Sequence, residues 1–380
     1  MKTRISDFDY PLPPELVAQY PLPQRDASRL LILSRDRGTL IHAAFSDLPR
    51  WLDPDDLLVV NNTRVFPARL RGTKASGGQV ELLLHHPPEA EGDIGGGGQG
   101  PMAPAPSPKP PPPTPYRGKE ERLEGSGEST RVQATYRGRL KVGQVLNFGP
   151  SLQGEITSLP QPGVAEVCFW SDNGNVCQAV LAQGETPLPP YIRRAADPSD
   201  QDRYQTMFAK EPGAIACPTA GLHFTPEIIQ ALTQKGIDIV SLTLHVGLGT
   251  FAPVRQADYT KHRLLPEYFD LPAVTAERLN QAKAQGKRLV AVGTTTVRVL
   301  ESCAGPQGFT PKQGWCDLYI YPGYRFKIVD RLLTNFHLPK SSLLLLVSAF
   351  AGRDLIMDAY KEAIKEKYRF YSYGDCMLII

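Results

Sequence analysis

Residues 225–246 have the sequence TPEIIQALTQKGIDIVSLTLHV, and this stretch decides the fold class. Thr225 is a favourable N-cap residue and Pro226 suits the first helical position, so a helix is predicted to begin here. Gly236 provides the residue type that commonly ends a helix, and the apolar residues 238–246 then predict a strand. A helix that leads directly into a strand is typical of an α/β domain.

The alternation of helices and strands continues towards the C-terminus. Residues 275–285 predict a helix that closes at Gly286, and residues 289–292 predict a strand. A further helix is expected from about Thr296, and residues 358–367 have the amphipathic pattern of a helix with one buried face. These elements predict that residues 177–380 belong to an α/β domain.

The N-terminal segment adds short strands to the same domain. Residues 30–33 and 39–45 flank the turn sequence Asp36-Arg37-Gly38, which predicts a hairpin. Residues 57–60 are apolar and predict a strand that ends at a polar triplet, Asn61-Asn62-Thr63. Residues 1–64 and 177–380 are therefore predicted to form one α/β main domain that is barrel-like.

The intervening residues 65–176 contain many short strand candidates and lack helical periodicity, which predicts an inserted small all-β barrel domain. Within this domain, residues 87–129 are dominated by glycine and proline. Such a composition buries too little apolar surface to offset the entropy of ordering, so a disordered loop is predicted. A proline-rich ligand for a partner domain is the alternative to a tolerated insertion at a loop tip.

Composition excludes several classes of protein. The chain of 380 residues begins MKTRISDFDY, without a basic and then apolar secretory signal, and its longest apolar run, residues 343–350, is too short to span a membrane. The six cysteines form no C-x-x-C pair and show no metal spacing with histidine, so we expect reduced thiols, no metal and a cytoplasmic location.

Positive charge is concentrated in two segments of the predicted β domain and its border, although the formal net charge is only +3. Residues 64–78 and 131–154 contain arginines and lysines but no acidic residue. They are able to form one stripe along a phosphate backbone. Ordinary solvated strand faces are the alternative.

Two glycine-containing turns are candidates for ligand binding. Residues 247–252, GLGTFA, fit the loose pattern G-x-G-x-x-A, but Pro253 follows directly, so we interpret them as a turn where the backbone approaches a ligand. Residues 293–296, GTTT, follow a strand and open a helix, with Arg298 one turn later. Such a helix start binds carboxylate or phosphate, although N-capping by threonine is an equally simple explanation.

Histidines and aromatic residues provide further candidates. Four of the seven histidines lie in turn-rich surroundings, namely His223, His245, His262 and His337, and at least one catalytic role is predicted for them. A serine hydrolase is not supported, because no G-x-S-x-G motif occurs. The segment 368–375, YRFYSYGD, is rich in aromatic residues that either stack on bases or adenine or pack in the core.

Together these segments closely resemble the S-adenosylmethionine:tRNA ribosyltransferase-isomerase family of queuosine biosynthesis. Matching stretches include DFDYPLPPELVAQYPLPQRDASRLL, NNTRVFPARLRG, PGAIACPTAGLHFTPE, TLHVGLGTFAPV, VGTTTVRVLES, IYPGYRFKIVDRLLTNFHLP and YRFYSYGDCMLI. They occur in the family's order and cover nearly the whole chain outside residues 87–129.

The resemblance implies a reaction. The ribosyl part of S-adenosylmethionine is transferred and isomerised onto 7-aminomethyl-7-deazaguanine (preQ1) at the wobble position of a tRNA with a GUN anticodon. Epoxyqueuosine forms, and adenine and methionine leave. The reaction begins with removal of a proton next to the sulfonium, which a neutral histidine or a carboxylate is able to accept. S-adenosylmethionine is a co-substrate, no permanent cofactor is expected, and a monomer is expected.

The resemblance also implies site residues. The acid and base candidates are His223, His245 and Glu267. The substrate-binding candidates are Arg64, Thr219, Gly221, Phe224, Gly247, Gly249, Thr250, Thr294, Thr295, Arg298, Tyr321, Asn335, His337, Tyr373 and Asp375. Arg69, Arg71, Arg137 and Arg139 are the candidates for binding tRNA.

One motif departs from the family. The family pattern H-x-M-H-x-E corresponds here to His262-Arg-Leu-Leu-Pro-Glu267, so Leu265 stands in place of the second histidine. Two other classes of protein compete with the enzyme. One is an RNA-binding module without catalysis, and this interpretation gives the glycine- and threonine-rich turns no role. An S-adenosylmethionine-dependent methyltransferase is the other class, but this sequence lacks the early G-x-G-x-G loop after a first strand that such an enzyme requires.

Overall fold

The computed structural model describes residues 3–88, 129–247, 249 and 253–380. The described chain divides into two compact units, residues 1–69 with 185–380 and residues 70–184. The sequence placed these boundaries after residues 64 and 176. The predicted disordered loop, residues 87–129, lies almost entirely outside the described residues. No helix in the described part is long and apolar enough to cross a membrane.

The strands and helices are numbered in chain order. The strands are β1 (Arg29–Ser34), β2 (Thr39–Ala44), β3 (Asp56–Asn61), β4 (Thr63–Val65), β5 (Arg69–Lys74), β6 (Gln79–Leu84), β7 (Ser129–Arg137), β8 (Val145–Asn147), β9 (Leu152–Gln161), β10 (Val164–Ser171), β11 (Glu211–Ala214), β12 (Asp238–Leu244), β13 (Glu267–Leu271), β14 (Arg288–Val292), β15 (Lys312–Cys316), β16 (Arg331–Asn335) and β17 (Cys376–Ile379). The helices are α1 (Leu48–Trp51), α2 (Val176–Gln183), α3 (Asp200–Arg203), α4 (Pro226–Gln234), α5 (Ala273–Ala284), α6 (Thr294–Cys303), α7 (Ser342–Ala351) and α8 (Arg353–Lys365).

Nine strands of the main unit form one sheet in the order β15-β13-β12-β3-β14-β16-β17-β1-β2. Its centre is parallel: β3 pairs with β12 on one side and β14 on the other, and β14 pairs with β16. Among the described strands the sheet is open, with edges at β15 and β2, where the sequence led us to expect a barrel-like arrangement. A short parallel pair, β4 with β11, lies outside this sheet.

The central strand β3 shows how the sheet is covered on both faces. All six of its residues are buried, and the run DLLVVN is nearly continuous in apolar side chains, as expected for a strand between two layers. Leu57 and Val59 belong to one hydrophobic core, whereas Leu58 and Val60 belong to a second. Because successive side chains of a strand point to opposite faces, the sheet separates these two cores.

The helix signals at residues 225–236 are confirmed. The Thr225 hydroxyl accepts a hydrogen bond from the Ile228 N–H at 3.4 Å, Pro226 is the first helical residue, and Gly236 has a φ of +82° at the end. The hairpin at Gly38 is confirmed by the antiparallel pairing of β1 with β2. α8 begins five residues before the predicted start at residue 358.

The second unit is a closed barrel of six antiparallel strands in the order β10-β7-β6-β5-β8-β9. Along β10, buried and partly exposed residues alternate, which is the pattern of a barrel wall. Gly154 of β9 is required there, because a Cβ at this position would approach Val167 Cγ1 to 2.9 Å. The predicted fold class, α/β with an inserted small β-barrel, is confirmed.

Candidate active site

A cavity of about 560 Å³ lies at the carboxyl ends of the central parallel strands of the main unit. This is the edge of a parallel sheet where ligands characteristically bind. We call it the main cavity. Five predicted site residues meet in its wall: Thr219, Thr294, Thr295, Asn335 and His337.

The start of α6 forms one wall of the main cavity. Gly293 at the N-cap has a φ of +92°, a conformation that favours glycine, and it has no side chain with which to cap the helix. The first-turn N–H groups are therefore available to a ligand, and the positive end of the helix dipole favours an anion. The Thr295 hydroxyl is held by Asn61 Nδ2 at 3.2 Å.

Asn335, the last residue of β16, provides an acceptor in the same cavity. Its Nδ2 lies 3.1 Å from the Tyr371 carbonyl oxygen, 3.4 Å from the Asp375 carbonyl oxygen and 3.3 Å from Nε2 of His223. These contacts fix the orientation of the amide. Its Oδ1 is buried and has no hydrogen-bond partner among the described residues. Since an unsatisfied buried acceptor is costly, Oδ1 is suited to receive a donor from a ligand.

His223 closes the 3₁₀ turn Thr219–His223 and is only 4% exposed. Its Nδ1 lies 2.7 Å from the Ser28 hydroxyl, which in turn donates to the Arg25 carbonyl oxygen at 3.2 Å. Because Asn335 donates to Nε2, we assign the ring proton to Nδ1. Burial lowers the pKa of His223 to about 4, so the ring is neutral at physiological pH and Nε2 carries a lone pair.

His245 follows β12 and is half-buried. Its Nδ1 lies 2.8 Å from the Thr63 hydroxyl, and the ring stacks on Tyr268 with centroids 5.7 Å apart. Burial lowers the pKa of His245, and the charge of Glu211 partly opposes this shift. Gly213 is required beside the ring, since a Cβ there would come within 2.7 Å of it.

Glu267 and Arg298 form a buried ion pair that lines a neighbouring cavity of about 370 Å³. Oε1 of Glu267 accepts from the Gly247 N–H at 2.7 Å. Arg298 donates to the carbonyl oxygens of Leu318 at 3.0 Å and Cys316 at 2.8 Å. The pair therefore holds the backbone at Gly247, and its arginine is already engaged by three protein acceptors. Gly249 and Leu265 also line this cavity.

His337 lies in the main cavity as a buried neutral ring. Its Nε2 is 2.8 Å from the Thr334 hydroxyl, its backbone N–H donates to Tyr360 at 2.8 Å, and its carbonyl accepts from Tyr10. Burial lowers the pKa of His337 to about 3. Next to it, Tyr371 has a φ of +72°, and such left-handed backbone in a bulky residue is common at functional sites.

Of the remaining predicted substrate residues that the structure describes, none lines the main cavity. Phe224 and Gly221 are buried in the core, where Phe224 packs edge-on against Phe45 and Phe208. Tyr373 lines a third cleft and donates to Asp200 at 2.7 Å. Asp375 accepts from the N–H groups of Arg29 at 2.9 Å and Arg369 at 2.7 Å.

Two further substrate-binding candidates lie in other surroundings, and a third is not described by the structure. Arg64 is exposed on β4. Tyr321 packs against Tyr259 and Tyr319, with ring centroids 5.7 Å and 5.1 Å away. Thr250 lies outside the described residues.

The predicted tRNA-binding arginines differ in their exposure. Arg71, Arg137 and Arg139 of the barrel unit are exposed, and Arg71 and Arg137 both lie near Glu81, at 3.6 Å and 3.8 Å. Glu81 therefore places a negative charge near one arginine from each of the two acid-free basic segments, residues 64–78 and 131–154. Arg69 is partly buried and donates to the Leu188 carbonyl oxygen at 3.0 Å.

Sequence reasoning missed several residues that hold the candidate catalytic groups. Ser28 supports His223, Thr63 supports His245, and Asn61 ties the end of β3 to Thr295 and to the Leu244 backbone. The only local signal was the polar triplet 61–63 directly after a buried strand. Ser28 lies in an ordinary turn and offered no signal.

In the part of the chain that the structure describes, no group of three or more histidine, cysteine or acidic side chains is arranged to hold a metal ion. The six cysteines are free thiols, three of them buried.

Fold and site define an α/β enzyme with an inserted β-barrel and a ligand cavity at the carboxyl ends of its parallel strands. The model of the family described as queuosine biosynthesis protein matches residues 5–379. The chain belongs to this family, as its sequence motifs predicted.

Similar proteins agree with this assignment. A relative from Syntrophotalea carbinolica is 46% identical over 99% of this chain and 100% of its own length. Another from Natranaerobius thermophilus is 45% identical over 99% of both chains. Both are named S-adenosylmethionine:tRNA ribosyltransferase-isomerase, which confirms the predicted enzyme class. A crystal structure of S-adenosylmethionine tRNA ribosyltransferase from Thermotoga maritima, 34% identical, aligns with a TM-score of 0.52 over 99% of this chain and 100% of that chain.

Proposed function

We propose that this protein transfers and isomerises the ribosyl part of S-adenosylmethionine onto preQ1 at the wobble position of a tRNA with a GUN anticodon. The product is epoxyqueuosine, and adenine and methionine are released. The names of the relatives support the donor, the tRNA and the reaction class. The single observation that carries the proposal is the buried and unpartnered Oδ1 of Asn335, a residue that lines the same cavity as the α6 N-terminus.

These two features suit the two ends of an amino acid. The first turn of α6, with Thr294 and Thr295, offers N–H groups and a positive dipole end to the carboxylate of the methionyl part. Asn335 Oδ1 offers an acceptor to its ammonium group. Arg298 is engaged by Glu267 and two backbone carbonyls, so we assign it to positioning rather than to the carboxylate.

His223 is the candidate base. The positive sulfonium acidifies the neighbouring carbon, and a neutral imidazole with a free lone pair is able to take that proton. Asn335 Nδ2 has two hydrogens and three acceptors within reach. Its amide therefore keeps two backbone acceptors when Nε2 of His223 takes the substrate proton. The contact from Nδ1 to Ser28 then keeps the ring oriented.

His245 is the candidate donor to the leaving adenine. The Thr63 hydroxyl is buried, and Nδ1 of His245 is the acceptor in its reach, so we assign the ring proton to Nε2. A neutral ring in this tautomer donates a hydrogen bond to a purine nitrogen. Glu267 serves as a positioning residue, because its carboxylate holds the Gly247 N–H at the glycine-rich turn.

Two sets of exposed side chains suit the tRNA. Trp315 is 70% exposed and meets Tyr268 edge-on at 5.9 Å, next to His245, so it offers a platform for an unstacked base. Arg71, Arg137 and Arg139 on the barrel unit offer charge to phosphates. The GUN anticodon, a monomeric state and a cytoplasmic location stay predictions from the sequence.

Product analysis tests the proposal. The protein is mixed with S-adenosylmethionine and either tRNA carrying preQ1 or the same tRNA carrying guanine, and adenine and methionine are quantified by chromatography. We expect both products in equal amounts with the preQ1 tRNA alone. S-adenosylhomocysteine instead of adenine would identify a methyltransferase, and equal adenine release with the guanine tRNA would refute the preQ1 assignment.

A further inference from the structure

The cleft that Tyr373 lines, of about 300 Å³, adjoins the main cavity. Ser372 lies in the walls of both, and His223, which lines the cleft, is bonded to Asn335 of the main cavity. Two arginines, Arg25 and Arg203, also line this cleft. We call it the arginine pocket. Nothing in the proposed reaction has so far used these two residues.

Backbone carbonyls hold both arginines in place. Arg25 donates to the carbonyl oxygens of Leu222 at 3.1 Å and Asp202 at 2.9 Å. Arg203 donates to those of Pro23 at 3.2 Å and Leu22 at 2.5 Å. Carbonyl dipoles orient a guanidinium without cancelling its charge. Among the described residues neither arginine has a carboxylate partner within ion-pair distance, and Nε of Arg203 is buried without an acceptor.

A third arginine adds to the positive potential. Arg369 donates to the Tyr20 carbonyl oxygen, and its Nη1 is buried without a partner in the described chain. The charges of Arg25 and Arg369 both act on His223 and lower its pKa further, after the effect of burial. Burial lowers the pKa of Arg25 and of Arg369, and the charges of Asp202 and Asp375, respectively, oppose this shift. The carboxylate of Asp375 accepts two backbone N–H groups, and among the described residues it forms no ion pair with the guanidinium of Arg369.

Guanidinium groups that are oriented, partly buried and without a carboxylate partner are suited to an oxyanion. We propose that the arginine pocket binds a backbone phosphate of the tRNA next to the nucleotide that is modified. The inference rests on the proposed function, because it takes tRNA as the substrate. The carboxylate of the donor is the other oxyanion of the reaction, and the α6 N-terminus already provides for it in the main cavity.

A phosphate in this position has a mechanistic consequence. The pocket shares Ser372 with the main cavity and is lined by His223, so an anchored phosphate brings its nucleotide to the edge of the donor site. Arg25 and Arg203 therefore fix the register of the tRNA rather than take part in the chemistry. Positioning of this kind contributes through the reduced freedom of the two reactants.

Binding measurements at several salt concentrations test the pocket. The affinity of preQ1 tRNA is measured for the wild type, Arg25→Gln, Arg203→Gln and Arg203→Lys, and S-adenosylmethionine binding is measured separately on each. We expect Arg203→Gln to weaken tRNA binding about tenfold and to reduce the slope of log K against log salt by about one, whereas Arg203→Lys restores the slope. Arg278→Gln, which removes a surface arginine paired with Asp238, is the matched control.

The outcomes separate this proposal from the proposed function. Unchanged tRNA affinity and slope in both Gln variants overturn it, and so does a loss of S-adenosylmethionine binding with tRNA binding intact, which would place the donor carboxylate here. Retained S-adenosylmethionine binding shows that a variant is folded. A wild type that binds tRNA through these arginines but releases no adenine would refute the proposed reaction and leave the phosphate pocket standing.

Discussion

Tyr268 lies parallel to His245, with their ring planes 17° apart, and its edge meets the exposed Trp315. Tyr268 belongs to β13 and Trp315 to the edge strand β15, which pair with each other directly. Trp315, Tyr268 and His245 thus form a row of three aromatic rings that runs from the surface to a candidate catalytic histidine. Trp315 is the outermost of the three and, at 70% exposure, presents its ring to solvent, where a base is able to stack on it.

Trp315→Ala is expected to weaken tRNA binding. A base that stacks on an exposed aromatic ring contributes about 1–3 kcal/mol, so we expect a loss of roughly tenfold in tRNA affinity. Binding of S-adenosylmethionine should not change, because Trp315 lies outside the main cavity. Fluorescence titration with preQ1 tRNA measures the effect. Val274→Ala, an equally exposed apolar residue on α5, is the control, and equal effects of the two variants would refute the stacking role.

Asn335→Ala is expected to lower the affinity for S-adenosylmethionine about tenfold or more. The change removes the acceptor that we assign to the ammonium group and frees the Tyr371 carbonyl oxygen that Nδ2 now holds. Isothermal titration calorimetry measures the affinity. Asn280→Ala is the matched control, because both atoms of that amide are bonded to the Phe309 backbone at 2.8 Å. It should cost stability and leave donor binding intact.

The sequence predicted the local parts of the site and not its assembly. The glycine and threonines at residues 293–296 indicated a helix start that binds an anion, because that signal lies within four neighbouring residues. The contact of His223 with Ser28 spans 195 positions, and that with Asn335 spans 112. Both contacts depend on β1, β17 and β16 lying side by side, and no local pattern specifies that order.

Asp375 shows that sequence also fails to separate structural carboxylates from ligand-binding ones. Its place in an aromatic, family-like segment made it a candidate ligand, yet its carboxylate accepts the N–H groups of Arg29 and Arg369 and so joins the start of β1 to the turn before β17. A carboxylate that satisfies backbone donors and one that binds substrate look alike in sequence. The nine-strand sheet order was likewise beyond local signals, whereas individual helices such as α4 were not.

Stability is expected to fall with decreasing pH because of His223. Its folded-state pKa of about 4 lies below the ordinary value of 6.5, so the unfolded chain binds the proton more tightly. The contribution of the neutral ring is complete above pH 6.5 and is lost as the pH falls towards 4, by about 3 kcal/mol for this group. Urea denaturation of the wild type and His223→Gln between pH 7 and 4.5 measures it.

The His223→Gln variant should show a shallower dependence of the unfolding free energy on pH than the wild type between pH 7 and 4.5. His337 shifts in the same direction, so some dependence remains in His223→Gln. Asn280→Ala, which removes a side chain that does not titrate, is the control and should keep the pH dependence of the wild type. Identical slopes for His223→Gln and the wild type would mean that His223 is protonated in the folded protein at mildly acidic pH, and it would remove the neutral base from the mechanism.

Glu267→Gln is expected to destabilise the protein by about 3–5 kcal/mol, because it leaves the charge of Arg298 buried without its partner. Replacing both residues, as Glu267→Gln with Arg298→Met, should recover part of this loss, since no uncompensated charge then remains. Asp53→Asn, which breaks a more exposed pair with Arg288, should cost less than about 1 kcal/mol. Urea denaturation of the wild type and of these three variants gives the values. If the single and double variants were equally unstable, the cost would not lie in the uncompensated charge of Arg298, and the main contribution of Glu267 would be the bond that its Oε1 accepts from the Gly247 N–H.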